Sequence, residues 1–146
     1  MAAKTGLDCK LYRNTATWAS PSWTLIGNIK DLTQNLEKVT ADVSTRGSVW
    51  RRKKTGLKDG GIEFQMVWDT SDANFTAIQS AFLNDTTIEL VALDGVITDA
   101  GNEGLRSDFE ITAFSREEPL EDAVMVSVTA EPAYTDNTPT WYTSTT

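Results

Sequence analysis

The chain alternates apolar and polar residues with a period of two in three separate stretches, and this repeat constrains the fold more than any other feature. Ile62, Phe64, Met66 and Trp68 alternate with Glu63, Gln65 and Val67, the pattern of a strand with one strongly apolar face. Phe109, Ile111 and Ala113 share a face over residues 105–114, and Val124, Val126 and Val128 share one over 123–130. Residues 86–93 are almost all apolar or β-branched apart from Glu89, as expected of a strand buried on both faces. Three further strands are expected at residues 9–13, 23–27 and 29–36. Asp59-Gly60-Gly61 supplies turn chemistry immediately before Ile62, and Gly95, Gly101 and Gly104 also read as turns.

One helix interrupts the strands. Phe75, Ile78 and Phe82 recur at three and four residues, Thr70 or Ser71 stands ready to cap the N-terminus, and Asn84 terminates it. Its apolar stripe has to pack on a sheet. The chain is therefore expected to be mainly β, a β-sandwich or partial barrel with one flanking α-helix. At 146 residues it fits a single domain with a core large enough to stand without disulfides. The single Cys9 forms no internal bridge. With no long apolar run and no signal-peptide pattern at the start, a soluble intracellular product is expected.

The composition argues against an enzyme. There is no His, which removes Ser-His-Asp and Cys-His arrangements and most zinc sites. Glu117-Glu118 and Glu121-Asp122 flank Pro119 and read as a solvated turn, with no EF-hand spacing. The glycines form no phosphate-binding loop. No catalytic residue, metal ligand or cofactor is expected.

Charge divides the chain in two. Residues 1–58 carry eleven Lys/Arg against four Asp/Glu, and residues 59–146 carry two against seventeen, so the net −8 is +7 followed by −15. Arg46, Arg51, Arg52, Lys53, Lys54 and Lys58 fall within thirteen residues that hold no carboxylate. Such a patch fits nucleic acid or an acidic partner, and the acidic partner can be the other half of an identical molecule. A heterologous contact of that kind closes into rings or propagates as a filament. The basic cluster lies in residues 39–58 with Val43, Val49, Trp50 and Leu57 interspersed. That segment reads as a long extended loop or hairpin arm reaching a neighbouring subunit. Residues 132–146, rich in Thr and without Lys or Arg, read as a tail after a domain spanning 1–131, with Trp141 and Tyr142 able to dock.

Taken in order, NIKDLTQNLEK at 28–38, ADVSTRG at 41–47, LKDG at 57–60, EFQMVWD at 63–69 and FSREEPLE at 114–121 resemble the major tail tube protein of long-tailed bacteriophages. The likeness spans about residues 28–131. It implies a β-sandwich subunit that assembles into hexameric rings, whose inner strands join into one barrel and stack into the conduit for DNA ejection. Its implied partners are copies of itself and other tail proteins (tape measure, tail tip, terminator), with DNA passing through without specific binding and no membrane contact. Its implied location is the virion, after assembly in the host cytoplasm. On this reading Arg46, Trp50, Arg51, Arg52, Lys53 and Lys54 make inter-subunit or inter-ring contacts. Glu89, Asp108 and Glu110 are candidates for an acidic lumen, since Lys/Arg–phosphate contacts would brake moving DNA. The alternatives are a tail terminator or head–tail connector, a nucleic-acid-binding module with Arg51–Lys54 on phosphates and Trp50 stacked on a base, and an enzyme using carboxylates alone.

Overall fold

A computed structural model describes residues 3–145. The strands run β1 Lys10–Asn14, β2 Trp23–Leu25, β3 Ile29–Asp42, β4 Lys53–Val67, β5 Thr87–Leu93, β6 Glu103–Glu117, β7 Met125–Pro132 and β8 Thr140–Thr143, with helix α1 at Ala73–Leu83 between β4 and β5. All pair antiparallel in one sheet of order β2-β1-β5-β6-β7-β4-β3, with β8 also on β6. The sheet curls over on itself. Leu11, Leu90 and Leu105 from the β1-β5-β6 side share one core cluster with Ile62, Phe64, Met66, Val126 and Val128 from the β4-β7 side. The mainly β expectation, with a partial barrel and one flanking helix, is therefore met.

The long strand β6 is the hinge of the curl. Its first half lies between β5 and β8, its second half pairs with β7, and β5 leaves it at Glu110. A bulge between Ile111 and Ala113 changes the register. Past the bulge Phe114 takes the core side, opposite Val128, while Ala113, expected beside Ile111, pairs with Thr129 and turns outward. Helix α1 closes the open side of the core with Phe75 and Ile78, both fully buried, and Phe75 meets Trp68 edge-on at 5.0 Å. Its cap is Asp72, whose carboxylate accepts from the Asn74 N–H at 2.8 Å, in place of Thr70 or Ser71. Asn84 ends the helix as expected.

Strand β5 is buried on both faces. Ile88, Leu90 and Ala92 face the main core, while Val91 and Leu93 join Tyr12 in a second cluster against Trp23 and Tyr142. Tyr142 belongs to β8, so Trp141 and Tyr142 do dock, as a strand on β6. No helix among the described residues is long and apolar enough to cross a membrane.

Two glycine readings change. Gly60 and Gly61 lie inside β4, opposite Leu36 and Asn35, and form no turn. A Cβ on Gly60 would stand 2.7 Å from the Asn35 carbonyl oxygen, and one on Gly61 would stand 2.8 Å from that of Ala130. The pair allows close backbone approach where the sheet bends. Gly104 lies in β6, where a Cβ would overlap the Ala92 carbonyl.

Candidate functional site

Strands β6, β7, β4 and β3 leave their outer face open to solvent. Antiparallel partners directly opposite one another share a face, so the pairs Asn35↔Gly61, Thr33↔Glu63, Glu63↔Thr129 and Glu110↔Glu131 mark that surface. Continuing along the hairpin, Glu37↔Asp59 falls on it too. The result is a small-residue, hydroxyl-rich face bearing Glu37, Asp59, Glu63, Glu110 and Glu131, all exposed, with no Lys or Arg at these positions. Strand alternation made Glu63 visible as an outward residue. Only the register set Glu131 beside Glu110.

The three carboxylates expected in a lumen separate. Glu110 lies on the open face. Asp108 is partly covered and accepts hydrogen bonds from the Thr135 hydroxyl at 2.8 Å and the Asn137 amide at 3.0 Å. Glu89 is taken up inside the subunit. Its Oε2 lies 2.7 Å from Arg106 Nε, with the two side chains 8% and 10% exposed, and its Oε1 accepts from Asn14 at 2.7 Å. Arg106 also donates to the Trp18 carbonyl at 2.6 Å and lies 4.0 Å over the Trp18 ring and 5.0 Å over that of Trp23. The buried pair thus clamps the 15–22 loop onto the sheet.

The segment expected to be a loop or hairpin arm is a hairpin. Strands β3 and β4 pair from Ile29↔Met66 out to Asp42↔Lys53, with an irregularity between Lys38 and Thr40. Beyond the last β7 contact it projects as a two-stranded ribbon of about 25 Å at ~3.3 Å per residue. Here nearly all residues are exposed, with Val49 at 100% and Trp50 at 76%, and only Ser48, Gly60 and Gly61 partly covered. The turn is tied by Asp42, which accepts from the Ser44 N–H at 2.9 Å. The Ser44 contacts, side chain first, hold the Asp42 carboxyl below its usual range. Arg46, Trp50, Arg51 and Arg52 sit in the tip, and Lys53 and Lys54 open β4. No arm cation forms a salt bridge among the described residues. Two like-charged cross-strand pairs occupy opposite faces of the ribbon, Lys38↔Lys58 on one and Glu37↔Asp59 on the other, an unfavourable arrangement in an isolated hairpin.

The β6-β7-β4-β3 part of the sheet is bounded by two free edges. The outer side of β3 has no strand partner, and Ile111–Glu117 of β6 has β7 on one side only, among the described strands. Because β3 and β6 run in opposite directions, adding one edge to the other in a second copy continues the antiparallel order.

No protein-family model matches this chain, and no curated protein does. Solved structures do match. The chain aligns over 88% of its length, and 75% of the other chain, with a chain of the SPP1 tail tube at TM-score 0.73 and 18% identity. The chain has the tail tube fold. A chain in the tail of an empty gene transfer agent particle, refined with C6 symmetry, has the same fold over 96% of this chain and 99% of its own, at TM-score 0.73 and 18% identity. A chain in the sheath–tube complex of an extracellular contractile injection system matches at TM-score 0.64 and 9% identity, over 97% of this chain and 92% of that one. Within the tail tube fold, the expected arm is the β3–β4 hairpin, and the acidic surface lies one strand pair away from Glu89.

Proposed function

We propose that this chain is a major tail tube protein that assembles into hexameric rings stacked into the tail of a phage or phage-like particle, the conduit for DNA ejection. The observation that carries the reading is the combination of the tail tube fold with an open, acidic four-stranded face bounded by two free edges. Joining the β3 edge of one copy to the β6 edge of the next satisfies backbone groups left open in the monomer and closes the strands into a barrel. The Glu37–Asp59–Glu63–Glu110–Glu131 face then lines the lumen. DNA in such a lumen meets carboxylates and hydroxyls and finds no cation to release counterions against. Arg46, Trp50, Arg51, Arg52, Lys53 and Lys54 make the contacts between subunits or rings. Glu89 holds the Arg106 clamp on the same sheet face, on the neighbouring strand β5 and covered by the 15–22 loop, and Asp108 anchors residues 135–137 beside it. The domain then takes in β8 as well as residues 1–131.

The partners are copies of the chain and the tape measure, tail tip and terminator proteins, with assembly in the host cytoplasm and a structural, non-enzymatic role. Electron microscopy of the purified protein across concentration and salt tests the reading, with tubes or stacked rings around a central channel expected. Monomers under every condition, together with salt-sensitive DNA binding, would favour the nucleic-acid module.

A further inference from the structure

The two ends of the open four-stranded sheet carry complementary exposed surfaces. At one end the arm tip presents Val49 and Trp50, 100% and 76% exposed, among Arg46, Arg51 and Arg52. At the other end, where Glu117, Met125 and Val67 lie level across β6, β7 and β4, the β6–β7 turn presents Leu120, 99% exposed. Around Leu120 stand Glu117, Glu118, Glu121 and Asp122, all exposed. The one salt bridge in that turn is a solvent-facing Arg116–Glu118 contact at 3.8 Å, too exposed to neutralise the group. Each end thus combines bare apolar side chains with a surplus of one charge, and neither finds its complement among the described residues of the chain.

We infer that the arm tip of one copy docks on the β6–β7 turn of another copy stacked above or below it, with Val49 and Trp50 against Leu120 and Arg51 and Arg52 on the Glu117–Asp122 carboxylates. The inference rests on the tube reading and names the receiving surface. A second copy is the occupant because the same chain supplies both halves of the contact, in equal number and at opposite ends of one sheet. A contact between unlike patches at opposite ends repeats without closing, so it generates an axial stack. Edge pairing within a ring is a separate contact. The apolar groups leave water on docking, and the arginines gain charge-assisted hydrogen bonds.

The test uses the full chain with Cys9→Ser as background, Val49→Cys and Leu120→Cys together, and a short bismaleimide cross-linker. A ladder of covalent oligomers is expected, absent when either cysteine is omitted. In parallel, Arg51→Glu with Arg52→Glu, and separately Glu118→Lys with Glu121→Lys, should each raise the concentration needed for tubes by about tenfold or more, as loss of ~1.4 kcal/mol or more per contact requires. Combining all four reversals should restore growth. Circular dichroism confirms that each variant is folded. Wild-type tubes with no ladder, or with growth unchanged by reversal of the turn, would overturn the tip–turn contact and leave the tube reading standing. If the wild type forms neither rings nor tubes and the double-cysteine variant gives no ladder at high concentration, both fail together.

Discussion

Around Arg106 the charges and nearby polar groups are answered within the chain, whereas along the arm they are not. Arg106 is paired to Glu89, hydrogen-bonded to the Trp18 carbonyl and stacked between aromatic rings. Among the described residues the arm cations have no ionic partner, and Lys38 faces Lys58 directly. Burial explains the contrast. A charge out of water has to be matched locally or it destabilises the fold, while a solvated charge costs the monomer little and stays available to another chain. The clamp therefore belongs to the stability of the subunit, and on the proposed reading the arm belongs to its association.

Several experiments would break or sharpen that division. Arg106→Ala should have the largest effect, since it leaves Glu89 buried without its partner. A loss of about 3–5 kcal/mol in chemical denaturation is expected, with the 15–22 loop released to proteolysis. A loss below about 1 kcal/mol would mean that the clamp is no more than a surface ion pair. Gly104→Ala should be comparably damaging, because the added Cβ meets the Ala92 backbone and not a side chain that can move aside.

On the arm the outcome should reverse. Arg51→Glu with Arg52→Glu is expected to leave monomer stability within about 0.5 kcal/mol of wild type while raising the concentration needed for tubes by about tenfold or more, as judged by thermal melts and microscopy side by side. Raising ionic strength should weaken assembly before it alters the melt. A smaller change is expected for Lys58→Glu. It replaces the Lys38↔Lys58 repulsion with an opposite-charge pair, worth about 0.2–1 kcal/mol, and should slow amide exchange in the arm of the monomer.

The smallest effect concerns pH. Asp94 is held below the usual Asp range first by the Glu103 backbone N–H, with Lys4 also contributing. A depressed carboxylate contributes stability above its unfolded value, about 3.9, and loses it as pH falls through the lowered folded value. Wild type should therefore lose its advantage over Asp94→Asn as melts are taken from about pH 5 down through that window. An advantage that persists at the acidic end would show that the carboxylate's ionisation is not what holds the 94–103 turn.

Much of the fold was legible because local pattern and tertiary environment agree. Ile62, Phe64 and Met66 alternate in the sequence and are all buried in the core, and the continuous apolar run of β5 lies buried on both faces. The errors fall where tertiary contacts override local chemistry. Asp59-Gly60-Gly61 has turn composition but lies mid-strand, because close backbone neighbours leave no room for side chains there. Ala113 changes face because one extra residue in β6 shifts the alternation. Strand β8 was hard to read because its few residues, Thr140–Thr143, are held by pairing with β6 and not by a pattern of their own.

The candidate surface divides in the same way. The sequence by itself determined the strand and helix types, the charge asymmetry and the exposed basic arm, since periodicity and composition act locally along the chain. The fate of each carboxylate was decided by the tertiary structure alone. Glu89 and Glu110 are both acidic residues on β strands, yet register carries Glu89 to a buried arginine seventeen residues away and Glu110 to the open face beside Glu131. That register is fixed by where β5 leaves β6 and by the bulge that follows, and both depend on packing between distant segments.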